Sequence, residues 1–245
     1  MAQLGEHEQK LTARAARKER GEKLGGKAPQ PPTSTPQPGD QYNFTDPESR
    51  IMKAGNGNHF EQSDNAQAAV EVESRLIVEE RVSQAPNDQQ ELVPTLAAIP
   101  EAAGRVAAAL VDTGFFSTAA VTQVEPAADG TPSGTGVYAP MKKTGHHRRV
   151  ADLEKQSGPA PPPAGASVKD VMSHRLQTAA GKALYQPRQQ TVEPVFGIIK
   201  SVLGFRQFRL RGRAKVALEW TLVCLTCNLK RLHRLGAGLQ LAHQS

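Results

Sequence analysis

Two acids far apart in the chain carry side chains suited to the same chemistry. Asp112 closes the apolar run VAAALVD, where a strand would deliver its carboxylate to a cleft. Glu193 stands in YQPRQQTVEPVFGIIK (Tyr185–Lys200), at the start of a helical run whose apolar positions are Val195, Phe196, Ile199 and Leu203. Carboxylates on separate elements of a basic chain are what metal-dependent phosphoryl transfer on nucleic acid requires. Each also has a plain structural reading. Asp112 suits a turn or cap, and a carboxylate near a helix N-terminus is favoured by the dipole whatever its function.

A basic segment follows Glu193. RQFRLRGRAK (Arg206–Lys215) holds five cations, with Phe205, Phe208 and Leu210 interleaved. Arginine suits bidentate contacts to phosphate, and the apolar residues can pin the segment to a core. Nucleic-acid phosphate is the expected partner; a solvated basic loop is the alternative. The net charge of +6 conceals an asymmetry, because Phe196–Ser245 carries nine Lys/Arg against one acid. Cations gathered at one end point to a polyanion there.

Other pairs carry less. Cys224 and Cys227 form a CxxC, but His233 is the only nearby further ligand and a four-ligand zinc set is not completed. They lie in an apolar helical run, where cysteine packs as a small hydrophobe. His146 and His147 are adjacent on a loop and are expected to face solvent or phosphate.

These residues need elements to hold them. Val216, Trp220, Val223 and Cys227 repeat at four, three and four, an apolar helix stripe with Trp220 as its anchor. NAQAAV (Asn65–Val70) and RLIVEERV (Arg75–Val82) predict a hairpin. Asp88 is a candidate N-cap for a helix carrying Leu92, Leu96 and Ile99. Arg105–Asp112 predicts a strand, Ser117 a cap for the next short helix, and Gly136–Met141 another strand. Helices resume at Val168 and run with breaks to Leu235. Two strands, helix, strand, helix, strand and then helices make a mixed α/β order. Upstream, Glu8–Leu24 reads as an exposed basic helix and Gly25–Gly39, with five prolines, as a linker. With 38% hydrophobic and 4% aromatic residues, the chain predicts one modest core with disordered material around it. The charged N-terminus has no signal-peptide core, and no stretch reaches a membrane span. The expectation is a soluble, cytoplasmic, bacterial protein that makes no membrane contact.

Several stretches resemble the DDE transposases of bacterial insertion sequences. They are NFTDPESRIMK (Asn43–Lys53), NAQAAVEVESRLIV (Asn65–Val78), PNDQQEL (Pro86–Leu92), VDTGFFS (Val111–Ser117) and TVEPVFGIIKSVLGFRQFRLRG (Thr191–Gly212). VDTGFFS resembles the family's second-aspartate motif, A-D-x-G-Y-F-S, and the last stretch its glutamate segment. The resemblance implies an RNase H-like mixed sheet flanked by helices, with 1–41 a disordered basic and Pro-rich segment, 42–235 a partial catalytic domain and 236–245 a tail. Asp112 and Glu193 become the second and third acids of a triad holding two Mg²⁺ or Mn²⁺ ions. Tyr185, Arg188, Glu193 and Lys200 resemble the Y-R-E-K signature, although four residues separate Arg188 from Glu193 where the signature has three. Lys200, Arg206, Arg209, Arg211 and Arg213, with Tyr185 and Arg188, become the DNA-facing set. The implied partners are double-stranded DNA (element ends and target), further copies of the chain or intact transposase copies, in a nucleoid-associated setting.

The front of the motif set departs from the family, whose first aspartate sits in a D-G-T strand. No such strand precedes Glu8, and neither Asp46 nor Glu71 takes its place. The chain is therefore expected to be an N-terminally truncated transposase that lacks its first strand and first acid, leaves unpaired sheet edges and has little activity alone. The other reading is a non-catalytic DNA-binding remnant that modulates intact copies.

Overall fold

Helix formers build the first element, and most of its described side chains are exposed. The computed structural model describes residues 2–19, 21, 28–31, 43–53, 59–125, 134–141, 160–163 and 165–242, in two compact units, Met1–Tyr42 and Asn43–Ser245. In the first unit, helix α1 spans Ala2–Glu19. It starts before the expected Glu8 and stops before Leu24. Gly21, at φ 71°, ends it by donating its N–H to the Lys18 carbonyl at 3.0 Å. The expected linker lies largely outside the described residues.

The second unit is mixed α/β. Its strands form three two-stranded sheets among the described residues. β1 (Arg50–Lys53) and β2 (Phe60–Ser63) make an antiparallel hairpin that sequence patterning does not announce. Met52 alone of its apolar residues is buried, so there is no alternation to read. β3 (Asn65–Val70) and β4 (Ile77–Ser83) form the expected hairpin, in the register Asn65↔Ser83 to Val70↔Ile77. Its turn is closed by the Glu71 carboxylate, which accepts from the Glu73 amide at 3.0 Å and the Ser74 amide at 2.6 Å.

Asp88 does not cap the next helix. Asn87 caps a 3₁₀ turn at Asp88–Gln90 by accepting from the Gln89 amide, and α2 then runs Leu92–Ala98. The strand expected over Arg105–Asp112 is confined to β5, Ala108–Leu110. After a 3₁₀ turn at Thr113–Phe115, α3 occupies Thr118–Val124; Ser117 holds its N-cap position without a side-chain capping bond. β6, also shorter than expected at Gly136–Tyr138, pairs with β5 in parallel.

Four helical elements complete the unit: α4 (Val168–Gln177), α5 (Ala179–Tyr185), α6 (Pro187–Gly197) and α7 (Arg213–Ala242), with a π-helical turn at Ile198–Val202 after α6. The α4–α5 corner needs a glycine, because a Cβ at Gly181 would stand 1.9 Å from the Arg175 carbonyl oxygen. Pro187 starts α6, where its missing N–H costs nothing.

Two apolar clusters hold these elements. In one, Val216, Trp220, Cys224 and Cys227 of α7 pack against Ile77 and Val82 of the hairpin and against Val195 and Ile199. The stripe is the expected one, with Cys224 more deeply buried than Val223. Trp220 Nε1 also donates to the Gln67 carbonyl at 2.9 Å, and the Asn228 amide bonds both the N–H and the C=O of Ile77 at 2.8 Å. The second cluster joins Leu92, Val121, Val137 and Met172.

Candidate functional site

Asp112 lies two residues past the end of β5, in extended conformation at φ −78° and ψ 167°. One carboxylate oxygen accepts from the Thr113 amide at 2.7 Å and so starts the 3₁₀ turn. The other lies 3.4 Å from Arg188 Nη2. Asp112 is 56% exposed and Arg188 only 15%, so a largely buried cation meets a carboxylate at the surface. Next to them the Tyr185 hydroxyl donates to the Val111 carbonyl at 2.9 Å. Burial, and secondarily the nearby Asp112, push the Tyr185 phenol above its ordinary range, against an opposing effect of Arg188. The α5–α6 junction is thereby docked on the end of β5, bringing three of the expected site residues together. Asp112 is also the turn cap that its alternative reading described.

Glu193 and Lys200 are not part of this group. Glu193 is the seventh residue of α6 rather than the first of a helix, and it is exposed. Thr191, Val195 and Ile199 form the buried side of this helical stretch, and at 100° per residue Glu193 falls on the opposite side. Lys200 lies in the π turn, also exposed.

A cleft of about 530 Å³ opens beside Asp112, bordered also by Arg188, Thr191, Asn65, Gln67 and Asp88. Asp88 Oδ1 accepts from Asn65 Nδ2 at 2.9 Å and from Gln67 Nε2 at 2.7 Å. Residues two apart on a strand share a face, so both amides reach the same carboxylate. The polar pair Asn65-x-Gln67 was the available signal for this cluster, but it reads as a strand start until Asp88 is folded over it. Glu71 borders the cleft too. A side-chain hydrogen bond from Ser74, together with the turn amides, holds its carboxyl below the usual range.

Among the described residues, no group of three or more His, Cys, Asp or Glu side chains is placed to hold an ion. Both Asp112 oxygens already face protein donors, and Glu193 does not border the cleft. The two cysteines are free thiols buried in the α7 stripe. Burial pushes the Cys224 thiol up to about 12, as suits a small side chain packed in an apolar cluster. His146 and His147 lie outside the described residues.

The basic segment is built as a ledge. Its rings are pinned inward, with Phe205 and Phe208 5.4 Å apart edge to face and 6.2 and 6.4 Å from Trp220. Its backbone is held by acids. Glu219 accepts from the Arg209 and Leu210 amides at 3.0–3.1 Å, Asp46 from Gly212 at 3.1 Å and Glu48 from Arg213 at 2.9 Å. The side chains of Arg206, Arg209, Arg211 and Arg213 remain exposed. Lys200, Arg206 and Arg211 border a second cleft of about 610 Å³, which Asp46, Glu61 and Asp64 also border. Burial first, then Asp46 and Glu48, raise the Asp64 carboxyl.

Residues 162–233, from just before α4 to most of α7, match one family model. That family is the transposase DDE domain. The match supports a transposase function in general terms and, with it, DNA as the partner. It covers Tyr185, Arg188, Glu193, Lys200 and the basic ledge; Asp112 lies outside it. No curated protein and no solved structure matches the chain. Among the described residues, no helix is long and apolar enough to cross a membrane.

Proposed function

We propose that this chain is a DDE transposase of the bacterial insertion-sequence type, with an RNase H-like domain over about 42–235, and that it binds duplex DNA through Lys200 and Arg206–Arg213. The observation that carries this reading is the position of the matched segment. It contains both the exposed cations and the two residues, Tyr185 and Arg188, that dock on the strand end bearing Asp112. Asp112 and Glu193 are the carboxylates assigned to phosphoryl transfer at element ends, and further copies of the chain are the natural partners on paired ends. The catalytic output of the chain alone is low, because Asp112 is engaged by Arg188 and Thr113 while Glu193 is turned away.

That same observation favours a second reading, a DNA-binding protein without phosphoryl transfer that acts on active copies. Incubating the chain with supercoiled plasmid in Mg²⁺ or Mn²⁺ separates the two. Weak nicking lost in Asp112→Asn and in Glu193→Gln supports the transposase reading. Salt-sensitive DNA binding with nicking at background, unchanged in either variant, supports the second. Absence of DNA binding at low salt sinks both.

A further inference from the structure

Helix α7 has two apolar sides, and the core occupies one of them. Val216, Trp220, Cys224 and Cys227 are buried against the β3–β4 hairpin and α6. On the other side Leu218, Leu222, Leu225, Leu229 and Leu232 are 59, 56, 51, 58 and 49% exposed. At 100° per residue these five fall within about 80° of arc, centred away from Trp220. Single leucines on a surface need no explanation, but five in register on one helix make a contiguous apolar patch.

Their spacing is four, three, four and three. That is the a/d repeat of a coiled coil, two heptads long. A strict a/d stripe is a narrow seam that fits one partner helix, whereas a helix covered by the body of a domain carries a broader apolar face. The residues beside the seam are polar: Glu219, Thr221, Thr226, Asn228 and His233. Of these, Glu219 alone carries a charge at neutral pH. Arg231 and Arg234 fall on the Trp220 side, where Arg231 Nε donates to the Ser74 carbonyl at 2.6 Å. The seam is therefore nearly free of charge on a chain that is otherwise basic.

We propose that the Leu218–Leu232 seam is a pairing surface, and that its occupant is the same seam of a second copy of this chain. A row of one residue type is self-complementary, as a twofold pair of identical subunits requires. Among the described helices none other carries more than two leucines, so α7 alone offers a matching row. A nearly uncharged seam also lets two basic chains approach without repulsion along the contact. An extended leucine exposes about 165 Å², so ten of them at about half exposure offer roughly 900 Å². The residues beside the seam on both copies bring the total to the ~1,200 Å² at which specific interfaces begin. Two heptads are too short to hold free peptides together, but the buried side of α7 already keeps this helix formed. Pairing stands on exposure and spacing, independently of the DNA reading, and its test contains no DNA.

Sedimentation equilibrium of the full chain across micromolar concentrations is expected to show a monomer–dimer equilibrium. Leu225→Glu with Leu229→Glu should weaken it at least ~100-fold. Both positions are exposed, so at low concentration this variant should melt like the wild-type chain. Leu225→Cys, at the centre of the seam, should form a disulfide with its counterpart under mild oxidation in either helix orientation. Val202→Cys, exposed but off the seam, should not. A wild-type chain that stays monomeric overturns the proposal. If the double variant also unfolds, a segment of the same chain covers the seam. A dimer that survives the double substitution overturns it too, as does a disulfide at position 202 as fast as that at 225.

Discussion

Around Asp112 the decisive contacts are few and separable. Tyr185 ties α5 to the chain just before Asp112 through one hydroxyl, so Tyr185→Phe is expected to cost about 1 kcal/mol in chemical denaturation. Arg188→Met removes the partner of a half-exposed carboxylate, so its stability effect should stay under about 1 kcal/mol. A loss of several kcal/mol would mean that Arg188 holds more than Asp112. Glu79, buried on β4, behaves differently. Burial, the largest cause, and then Glu80 and Glu91 outweigh Arg81 and push its carboxyl from 4.5 up to about 7. The folded chain therefore binds a proton there that the unfolded chain has released. This contribution is fully present below pH 4.5 and is lost progressively as pH rises to about 7, on the order of 1–3 kcal/mol. Denaturation midpoints measured between those limits should fall with pH in the native chain. In Glu79→Gln the slope should be clearly flatter.

Among the elements, α7 carries most of the positioning. One helix face supplies the core stripe, the indole bond to Gln67 and the Asn228 clamp on Ile77, so it fixes the β3–β4 hairpin and the ring cluster under the basic ledge at once. Trp220→Ala is expected to cost about 3–5 kcal/mol by urea unfolding. Trp220→Phe should cost less, keeping the ring but losing the Nε1 bond. Much of this was legible: 3.6-residue periodicity in α7 and short apolar runs in the hairpin are local signals. The β1–β2 hairpin was not, because one buried methionine makes no pattern. Nor was Glu193's orientation, which depends on where α6 begins. Pro187 starts that helix six residues before Glu193, and the run from Val195 onward gives no sign of it.

For the whole molecule, charge and sheet continuity point in different directions. The exposed cations on the ledge should make DNA affinity steeply salt-dependent. Replacing Arg206, Arg209 and Arg211 by Gln should flatten the plot of log K against log salt by up to ~0.9 for each phosphate that is no longer neutralised. An unchanged slope in a folded triple variant would move the DNA interface elsewhere. Among the described residues, three separate two-stranded sheets leave the acids of the proposed site without a common floor. Residues of β3 and of β5 both border the cleft beside Asp112.

What the sequence determined by itself is whatever depends on neighbours along the chain: the α7 stripe, the β3–β4 hairpin, the arrival of Asp112 at a strand end and the gathering of cations after Phe196. Tertiary structure decided what depends on residues far apart. Arg188 finds Asp112 across 76 positions by folding the α5–α6 corner onto β5. Asp88 turns from a helix cap into the acceptor of two strand amides, and Glu193 is turned from the cleft by the buried side of its own helix. Those outcomes are set by which faces become buried, and a one-dimensional pattern does not contain that choice.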